Sequence, residues 1–176
     1  MNLSLILQVI GTAYPNVQQY IKHSTRSEHI IDTNRGYSDF SSNRRLSGFD
    51  VINKKHIIFC LLQIDNKLIV AQAGGQCDCA FLYDDSINIL EFKTNAFSPN
   101  NVTKNYNKAQ KQITNTIKTF SKKGIDLLSI AADVEAHICF SNSYPRKKAN
   151  EMSRSLSFAN KTNGIKLRFD NNKTIS

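Results

Sequence analysis

The sequence predicts an α/β fold in which a central mixed β-sheet is flanked by helices. Strand-like runs bounded by turn residues fill the middle of the chain, between about residues 55 and 93. Segments with apolar residues three and four positions apart lie on both sides of these runs, a spacing typical of helices packed on a sheet. The length of 176 residues suits one domain. We expect its core at about 16–140 and a C-terminal helix and strand at 149–170.

Charge and hydropathy narrow the range of partners. The formal net charge is +9, which favours polyanions because cations bound to phosphates release counterions; a basic surface without such a partner is the alternative. No apolar run is long enough to span a membrane, so no membrane partner is expected. The apolar segment Leu3–Ile10 has no Lys or Arg before it, and we expect a buried first element there rather than a secretory signal.

The four cysteines lack the Cys-x-x-Cys spacing of zinc sites. They stand in or beside apolar, strand-like segments, where a free cysteine behaves as a small hydrophobe. We therefore expect reduced, buried thiols and a cytoplasmic protein. The residues are Cys60, Cys77, Cys79 and Cys139.

The first part of the chain predicts a helix followed by a loop. Pro15-Asn16 resembles a helix start, and the residues behind it that share one helix face are Val17, Ile21, Ser24, Glu28 and Ile31. Residues 32–50 are rich in Ser, Asn, Gly and Arg and are expected to form a loop.

Four strand-like runs follow, and together they predict an antiparallel meander of three or four strands. Their expected bounds are His56–Ile64, Lys67–Ala73, Gln76–Tyr83 and Ile87–Lys93. The turn signals between them are Asp65-Asn66, Gly74-Gly75 and the segment 84–86.

The second helix is expected from Ser98-Pro99 to about Ser121, with Gly124 ending it. Its inward stripe would be Tyr106, Gln110, Ile113, Ile117 and Phe120. The remaining elements are a short helix or turn, a strand, a helix and a final short strand, at Leu127–Ala132, Glu135–Phe140, Ala149–Asn160 and Ile165–Phe169.

A hairpin over residues 77–93 brings three charged residues together. With Asp85-Ser86 as a two-residue turn, Asp78 lies opposite Lys93 and Ala80 lies opposite Glu91. Because side chains alternate along a strand, one face carries Asp78, Ala80, Leu82, Ile89, Glu91 and Lys93. The other face carries Cys77, Cys79, Phe81, Leu90 and Phe92.

These charges predict a metal site because burying them is costly unless they pair or hold an ion. The carboxylates of Asp78 and Glu91 suit Mg²⁺ or Mn²⁺, and the small Ala80 leaves space for the ion. Such an ion orients a phosphodiester and lowers the pKa of the attacking water, while Lys93 holds that water or stabilises transition-state charge. The alternative is an Asp78–Lys93 ion pair with Glu91 at a wet sheet edge.

The order of an Asp, an apolar strand and then Glu91-Phe92-Lys93 resembles the PD-(D/E)XK nuclease superfamily, which has the restriction-endonuclease-like fold. The resemblance covers about residues 16–140 and implies Mg²⁺-dependent hydrolysis of phosphodiester bonds, in DNA or RNA, as in bacterial defence or DNA processing. No Pro precedes Asp78, which is a frequent departure within the superfamily.

The resemblance adds two further site residues. In the family the helix after the sheet often carries Ala-x-x-Gln and then an aliphatic residue, which the segment 109–113 matches and which implies a catalytic role for Gln112. The helical stripe instead turns Gln110 towards the sheet, and both glutamines remain candidates. A helix before the sheet often supplies a Glu, so Glu28 is a candidate metal ligand, with an ordinary helix-edge glutamate as the alternative.

Basic residues on the second helix and on a later segment are the predicted nucleic-acid contacts: Lys104, Lys108, Lys111, Arg146, Lys147 and Lys148. A solvated helix face is the alternative for each cluster. DNA is the expected substrate, and a homodimer or a partner subunit would add base contacts that a chain this short lacks. Two other functions stay open: a non-catalytic nucleic-acid- or protein-binding module on the same fold, and an immunity-type interaction protein whose charged triad is a structural ion network.

Overall fold

The computed structural model describes residues 2–33, 35–70, 74–94, 99–141 and 148–175, and these residues form an α/β fold of two mixed sheets and four helices. The helices are α1 (Leu3–Ala13), α2 (Pro99–Lys122), α3 (Leu127–Ile130) and α4 (Lys148–Lys161). A 3₁₀ turn at Val17–Tyr20 follows α1. In this described part of the chain, no helix is both long and apolar enough to cross a membrane.

The larger sheet has six strands: β1 (Ile21–Ser24), β5 (Phe59–Gln63), β6 (Cys79–Tyr83), β7 (Ser86–Lys93), β8 (Asp133–Phe140) and β9 (Lys166–Arg168). They lie side by side in the order β1-β5-β6-β7-β8-β9. The first three pairings are antiparallel, and the β7–β8 and β8–β9 pairings are parallel.

The smaller sheet has four strands: β2 (Glu28–Asp32), β3 (Ser38–Phe40), β4 (Phe49–Asn53) and β10 (Asn172–Ile175). Their order is β10-β4-β2-β3. The β10–β4 pairing is parallel and the other two are antiparallel, so the last strand of the chain completes a sheet begun near its start.

The larger sheet lies between a layer of helices and the smaller sheet. On the hairpin β6–β7, Ala80 and Ile89 join the core that all four helices pack against, whereas Phe81 and Leu90 join the core shared with the smaller sheet. The predicted alternation of faces is therefore confirmed for the residues of β6 and β7. The expectation of helices on both faces of the sheet is wrong, because a second sheet covers one face.

The helix expected behind Pro15-Asn16 is also wrong. The 3₁₀ turn, β1 and β2 occupy this segment, because Ile21 pairs with Leu62 of the larger sheet and Ile30 pairs with Phe49 of the smaller one. Tertiary pairing has overridden a spacing that fits a helix equally well. The first helix is α1 instead, which forms on the apolar segment expected to be a buried first element. Asn2 caps this helix, because its Oδ1 accepts a hydrogen bond from Leu5 N at 3.1 Å.

Two further expectations in the first half of the chain need correction. The presumed loop 32–50 contains β3 and the start of β4. The presumed strand Lys67–Ala73 contributes only an isolated bridge between Asp65 and Ile69, and residues 71–73 lie outside the described residues.

The expectations for the second half agree better with the structure. Helices α2, α3 and α4 and strands β8 and β9 form where expected, and Gly124 follows α2 with a left-handed φ of 78°. The four cysteines are free and buried, as expected. Strand β10 was not expected, because its residues are polar up to Ile175.

A buried ionic network joins the strands at the C-terminal side of the larger sheet. His137 of β8 is 1% exposed, and its Nδ1 lies 2.7 Å from Asp170 Oδ1. Glu135 accepts two hydrogen bonds from Arg168 and also pairs with Lys173 of β10. The hydrogen bond with His137, together with those from Lys173 and Arg168, holds the pKa of Glu135 well below its usual range.

The smaller sheet depends on a close approach at Gly48, just before β4. A Cβ at Gly48 would lie 2.4 Å from Ile30 O and 2.7 Å from His29 Nε2. His29 is itself held by Asp50 Oδ1 at 3.0 Å and by Leu46 O at 3.1 Å, so it cannot easily give way. The backbone of β2 and β4 therefore leaves no room for a side chain here.

Gly48→Ala should destabilise the protein by about 1–3 kcal/mol, the usual cost of overpacking, seen as a lower urea midpoint. Gly11→Ala is the matched control, because its Cβ would meet only Val17 Cγ1 at 3.6 Å and α1 gains helix propensity. Equal urea midpoints for the two variants would contradict this account of β2 and β4.

Candidate metal centre

The hairpin β6–β7 has a different register from the one expected. Tyr83 pairs with Ser86, so the two-residue turn is Asp84-Asp85 rather than Asp85-Ser86, and Ala80 lies opposite Ile89 rather than Glu91. The shift is two residues, which leaves the side chains of β6 and β7 on their predicted faces. The prediction for Cys77 is wrong: it was expected on the face of Cys79, but it packs in the core on the helix side, because it lies before β6. The ladder ends at the pair of Cys79 with Leu90, and the next position along it sets Asp78 against Glu91. The small residue thought to leave space for an ion is thus not across from Glu91.

Glu91 and Lys93 share the helix side of β7 and are in direct contact. Glu91 is 0% exposed, and its Oε1 pairs with Lys93 Nζ, which also donates to Phe92 O at 3.1 Å. The second carboxylate oxygen, Oε2, is buried without a hydrogen-bond partner among the described residues. Burial, and next the charge of Asp78, raise the pKa of Glu91 well above its usual range, although Lys93 opposes them.

Asp78 stands just before β6, where the ladder to β7 has ended. Its Oδ2 accepts a hydrogen bond from the backbone N–H of Phe92 at 2.6 Å, which places the carboxylate between the two strand ends. Burial raises the pKa of Asp78 to about 7, against this hydrogen bond, which lowers it. Asp32, Lys93 and Asp65 also act on Asp78 electrostatically.

Two further carboxylates reach the same place, and the sequence did not single them out. Asp32 ends β2 of the smaller sheet, and Asp65 follows β5; the pKa of each is raised by burial first. The charge of Asp65 raises the pKa of Asp32 further, and Lys93 lowers the pKa of both. We call Asp32, Asp65, Asp78, Glu91 and Lys93 the acidic pocket.

Burial within the acidic pocket is graded from its floor to its rim. Glu91 is fully buried and Lys93 is 7% exposed, whereas Asp78 and Asp65 are half-buried and Asp32 is exposed. The sequence predicts a turn at Asp65, and Asp65 does precede a turn at Asn66, which has a φ of 55°. Its closeness to Asp78 and Asp32 is visible only in the folded structure.

The two candidate glutamines, Gln112 and Gln110, lie on different sides of α2. Gln112 lies beside the acidic pocket: its Nε2 donates to Gln76 O at 3.0 Å, and Gln76 Nε2 in turn donates to Asp65 Oδ1 at 2.7 Å. Gln112 Oε1 is buried without a hydrogen-bond partner in the described structure. Gln110 does not face the sheet as expected; its Oε1 accepts from Arg154 Nη1 at 3.1 Å, on the side of α2 that faces α4.

Glu28 does not join this group. It begins β2 rather than lying on a helix, and its Oε1 accepts from Ser24 Oγ at 2.7 Å and Arg26 Nε at 3.0 Å. Asp32 is four residues further along the same strand, or about 13 Å at the usual rise of a strand. The smaller sheet therefore brings Asp32, not Glu28, to Asp78.

The predicted nucleic-acid contacts on α2, Lys104, Lys108 and Lys111, are all exposed. Arg146 and Lys147 lie outside the described residues, as does the side chain of Lys148. Among the described residues, no group of three or more His, Cys, Asp or Glu side chains is arranged to hold a metal ion as it stands.

Comparisons of the chain with protein-family models, with curated proteins and with solved structures found no match. The chemistry of this chain must accordingly be inferred from its own residues.

The raised pKa of Asp78 predicts a pH-dependent stability. A carboxylate whose pKa rises on folding stabilises the fold fully only below its unfolded pKa, about 4, and that stability is lost as the pH rises through about 7. In metal-free buffer at pH 8, Asp78→Asn should therefore increase the free energy of unfolding by at least about 1 kcal/mol. For a chain of this size, each 1 kcal/mol raises the melting temperature by about 2–4 °C. The gain should vanish towards pH 4. Asn retains an acceptor for the Phe92 N–H.

The matched control is Asp84→Asn, which makes the same change on an exposed turn residue with a positive φ of 45° that Asn tolerates. Thermal unfolding of both variants and the parent, followed across this pH range with a chelator present, measures the difference. If the melting temperatures of Asp78→Asn and Asp84→Asn changed with pH in the same way, the carboxylate of Asp78 would not be the group whose ionisation destabilises the fold.

Proposed function

We propose that this protein is a metal-dependent nuclease of the PD-(D/E)XK type, which hydrolyses phosphodiester bonds of DNA or RNA. The observation that carries the proposal is the carboxylate of Glu91: it is fully buried, one oxygen has no hydrogen-bond partner among the described residues, and Asp78 and Lys93 lie beside it. A buried acceptor without a donor is costly, and a divalent cation would satisfy it.

The placement of the residues supports the resemblance to this superfamily. Asp78 precedes one strand, Glu91 and Lys93 end the next, and α2 follows with Gln112 beside the same pocket. The restriction-endonuclease-like core remains part of the proposal. The acidic pocket fits Mg²⁺ or Mn²⁺ because its donors are carboxylate oxygens.

In this proposal Asp78 and Glu91 hold the cation, and Asp65 and Asp32 complete its surroundings from the rim. The cation would supply neutralisation of charge on the phosphate and a lower pKa of the attacking water. Lys93 Nζ would orient that water and offset negative charge as the bond breaks. Gln112 Oε1 would accept a hydrogen bond from the same water and so direct its lone pair.

Glu91→Gln should abolish both Mn²⁺ binding, measured by calorimetry, and Mn²⁺-dependent cleavage of labelled DNA or RNA. A loss of at least about 10²-fold in rate is expected when a group that stabilises the transition state is removed. Glu28→Gln is the matched control, because its carboxylate is held by Arg26 and Ser24 at the far end of β2. Asp78→Ala should behave like Glu91→Gln while the protein stays folded.

The outcomes also separate the rival functions. If the protein bound an oligonucleotide but calorimetry showed no binding of Mn²⁺, the remaining function would be that of a non-catalytic binding module. Neither metal nor oligonucleotide binding would leave an interaction protein with a structural ion network. Normal cleavage by Glu91→Gln would end the nuclease assignment at this site.

Lys93→Met should separate metal binding from chemistry. Met keeps most of the apolar stem but removes the ammonium, so we expect Mn²⁺ binding to persist and the cleavage rate to fall by at least about 10²-fold. Lys55→Met, on the exposed turn after β4, controls for loss of a lysine. Unchanged cleavage by Lys93→Met would remove Lys93 from the mechanism.

A further inference from the structure

A polar groove of about 640 Å³ runs between α2 and α4, outside the acidic pocket. Its cations are Lys111 and Lys118 of α2 and Arg154 and Lys161 of α4. Amides and hydroxyls fill the spaces between them, including those of Asn107, Thr114 and Ser157. Among the described residues that line the groove there is no Asp or Glu, so its charge is positive throughout.

The side chain of Arg154 is fixed in this groove by hydrogen bonds and by contact with an aromatic ring. Its Nη1 donates to Asn107 Oδ1 at 2.9 Å and to Gln110 Oε1 at 3.1 Å, and its guanidinium lies 4.7 Å from the centre of the Tyr106 ring. Arg carries five N–H donors in a planar fork, and both of these bonds use Nη1. The fixed side chain can therefore bind an anion with little further loss of rotamer entropy.

The groove adjoins the acidic pocket through the segment before β6. A Cβ at Gly74 would lie 2.7 Å from Asn115 Nδ2 and 3.1 Å from Lys111 Cε, so the groove-lining residues pass directly under this glycine. Asn115 Nδ2 donates to Gly75 O at 3.1 Å. The next residue, Gln76, donates to Asp65 of the acidic pocket. The positive groove thus begins where the negative pocket ends.

We propose that the groove between α2 and α4 binds the sugar–phosphate backbone of the nucleic acid on one side of the bond to be cut. The inference rests on the proposed nuclease function. A pocket of four carboxylates repels a polyanion, so the affinity for substrate has to come from a neighbouring surface. Lys, Arg, Asn, Ser and Thr are the side chains that contact phosphate and sugar oxygens in known complexes.

The lining also favours nucleic acid over an acidic protein. Protein interfaces bury an apolar centre rich in aromatic residues, whereas this groove is lined by polar side chains apart from the buried Phe158. Among the described residues that line the groove, no exposed aromatic ring is available for a base to stack on, so binding here follows the backbone and is independent of base sequence.

Lys118→Ala combined with Lys161→Ala tests the groove, because both side chains are exposed and lie on opposite helices. The variants are made in an Asp78→Asn background to prevent cleavage, and binding of a fluorescein-labelled single-stranded DNA and its duplex is followed by anisotropy between about 50 and 200 mM salt. We expect affinity to fall at least about tenfold, and the slope of log K against log salt to shrink by roughly 1.4–1.8, the loss of two phosphate contacts.

Lys54→Ala with Lys55→Ala is the matched control, since it removes the same charge from an exposed turn after β4. An affinity and a salt slope equal to those of this control would overturn the groove assignment. Competition by polyglutamate as effective as that by unlabelled DNA would overturn the choice of nucleic acid in favour of an acidic protein.

The failure of this inference is distinguishable from the failure of the nuclease proposal. In the otherwise native chain, the groove variant should bind Mn²⁺ as tightly as the parent. Groove-dependent DNA binding without Mn²⁺ binding or cleavage would support the groove and reject the nuclease. Mn²⁺-dependent cleavage with DNA binding indifferent to Lys118 and Lys161 would do the reverse.

Discussion

The carboxylate of Glu91 lies under the helix layer, with one oxygen bound to Lys93 and the other without a hydrogen-bond partner in the described part of the chain. Removal of such a charge from water costs free energy that a single ion pair seldom recovers. The strand that carries it, β7, pairs along its whole length with β8 and from Ser86 to Leu90 with β6. Glu91 follows directly on this doubly paired stretch and is itself paired with Ile138 of β8, which opposes local unfolding at the strained carboxylate.

Two neighbouring regions of the surface carry opposite charge. The acidic pocket places four carboxylates near one ammonium. Burial is the largest cause of the raised pKa of each carboxylate, neighbouring carboxylates raise the pKa values of Asp32, Asp78 and Glu91 further, and Lys93 lowers all four. The groove beyond Gly74 carries four cations on two helices. Helix α2 links them, because Gln112 faces the pocket while Lys111 and Lys118 face the groove. A shift of α2 would change both regions together.

The hairpin was predictable because its faces depend only on parity. The sequence placed the turn one residue too late, which moved the pairing by two positions and left Glu91 and Lys93 on the correct side. Asp32 was not predictable, since its approach to Asp78 depends on how the smaller sheet docks, and Asp65 was not, since it depends on the pairing of β5 with β6, where Asp65 N donates to Asp78 O at 3.1 Å. Glu28 failed for the same reason: the spacing around it fits a helix, but long-range pairing makes a strand. Local sequence patterns predict which face of a strand a side chain lies on, whereas its long-range contacts depend on how the strands pair and the sheets pack.

The last strand has a consequence for the order of assembly. Strand β10 lies parallel to β4 in the smaller sheet, and its Lys173 also binds Glu135 of the larger one. Contacts between residues so distant in sequence form late, because a long loop must close before they repay its entropy. The sheet that delivers Asp32 is therefore incomplete until the C-terminal segment has docked. In this order of events, β4, which pairs with the strand that carries Asp32, would gain its second neighbour only in the last stage of folding.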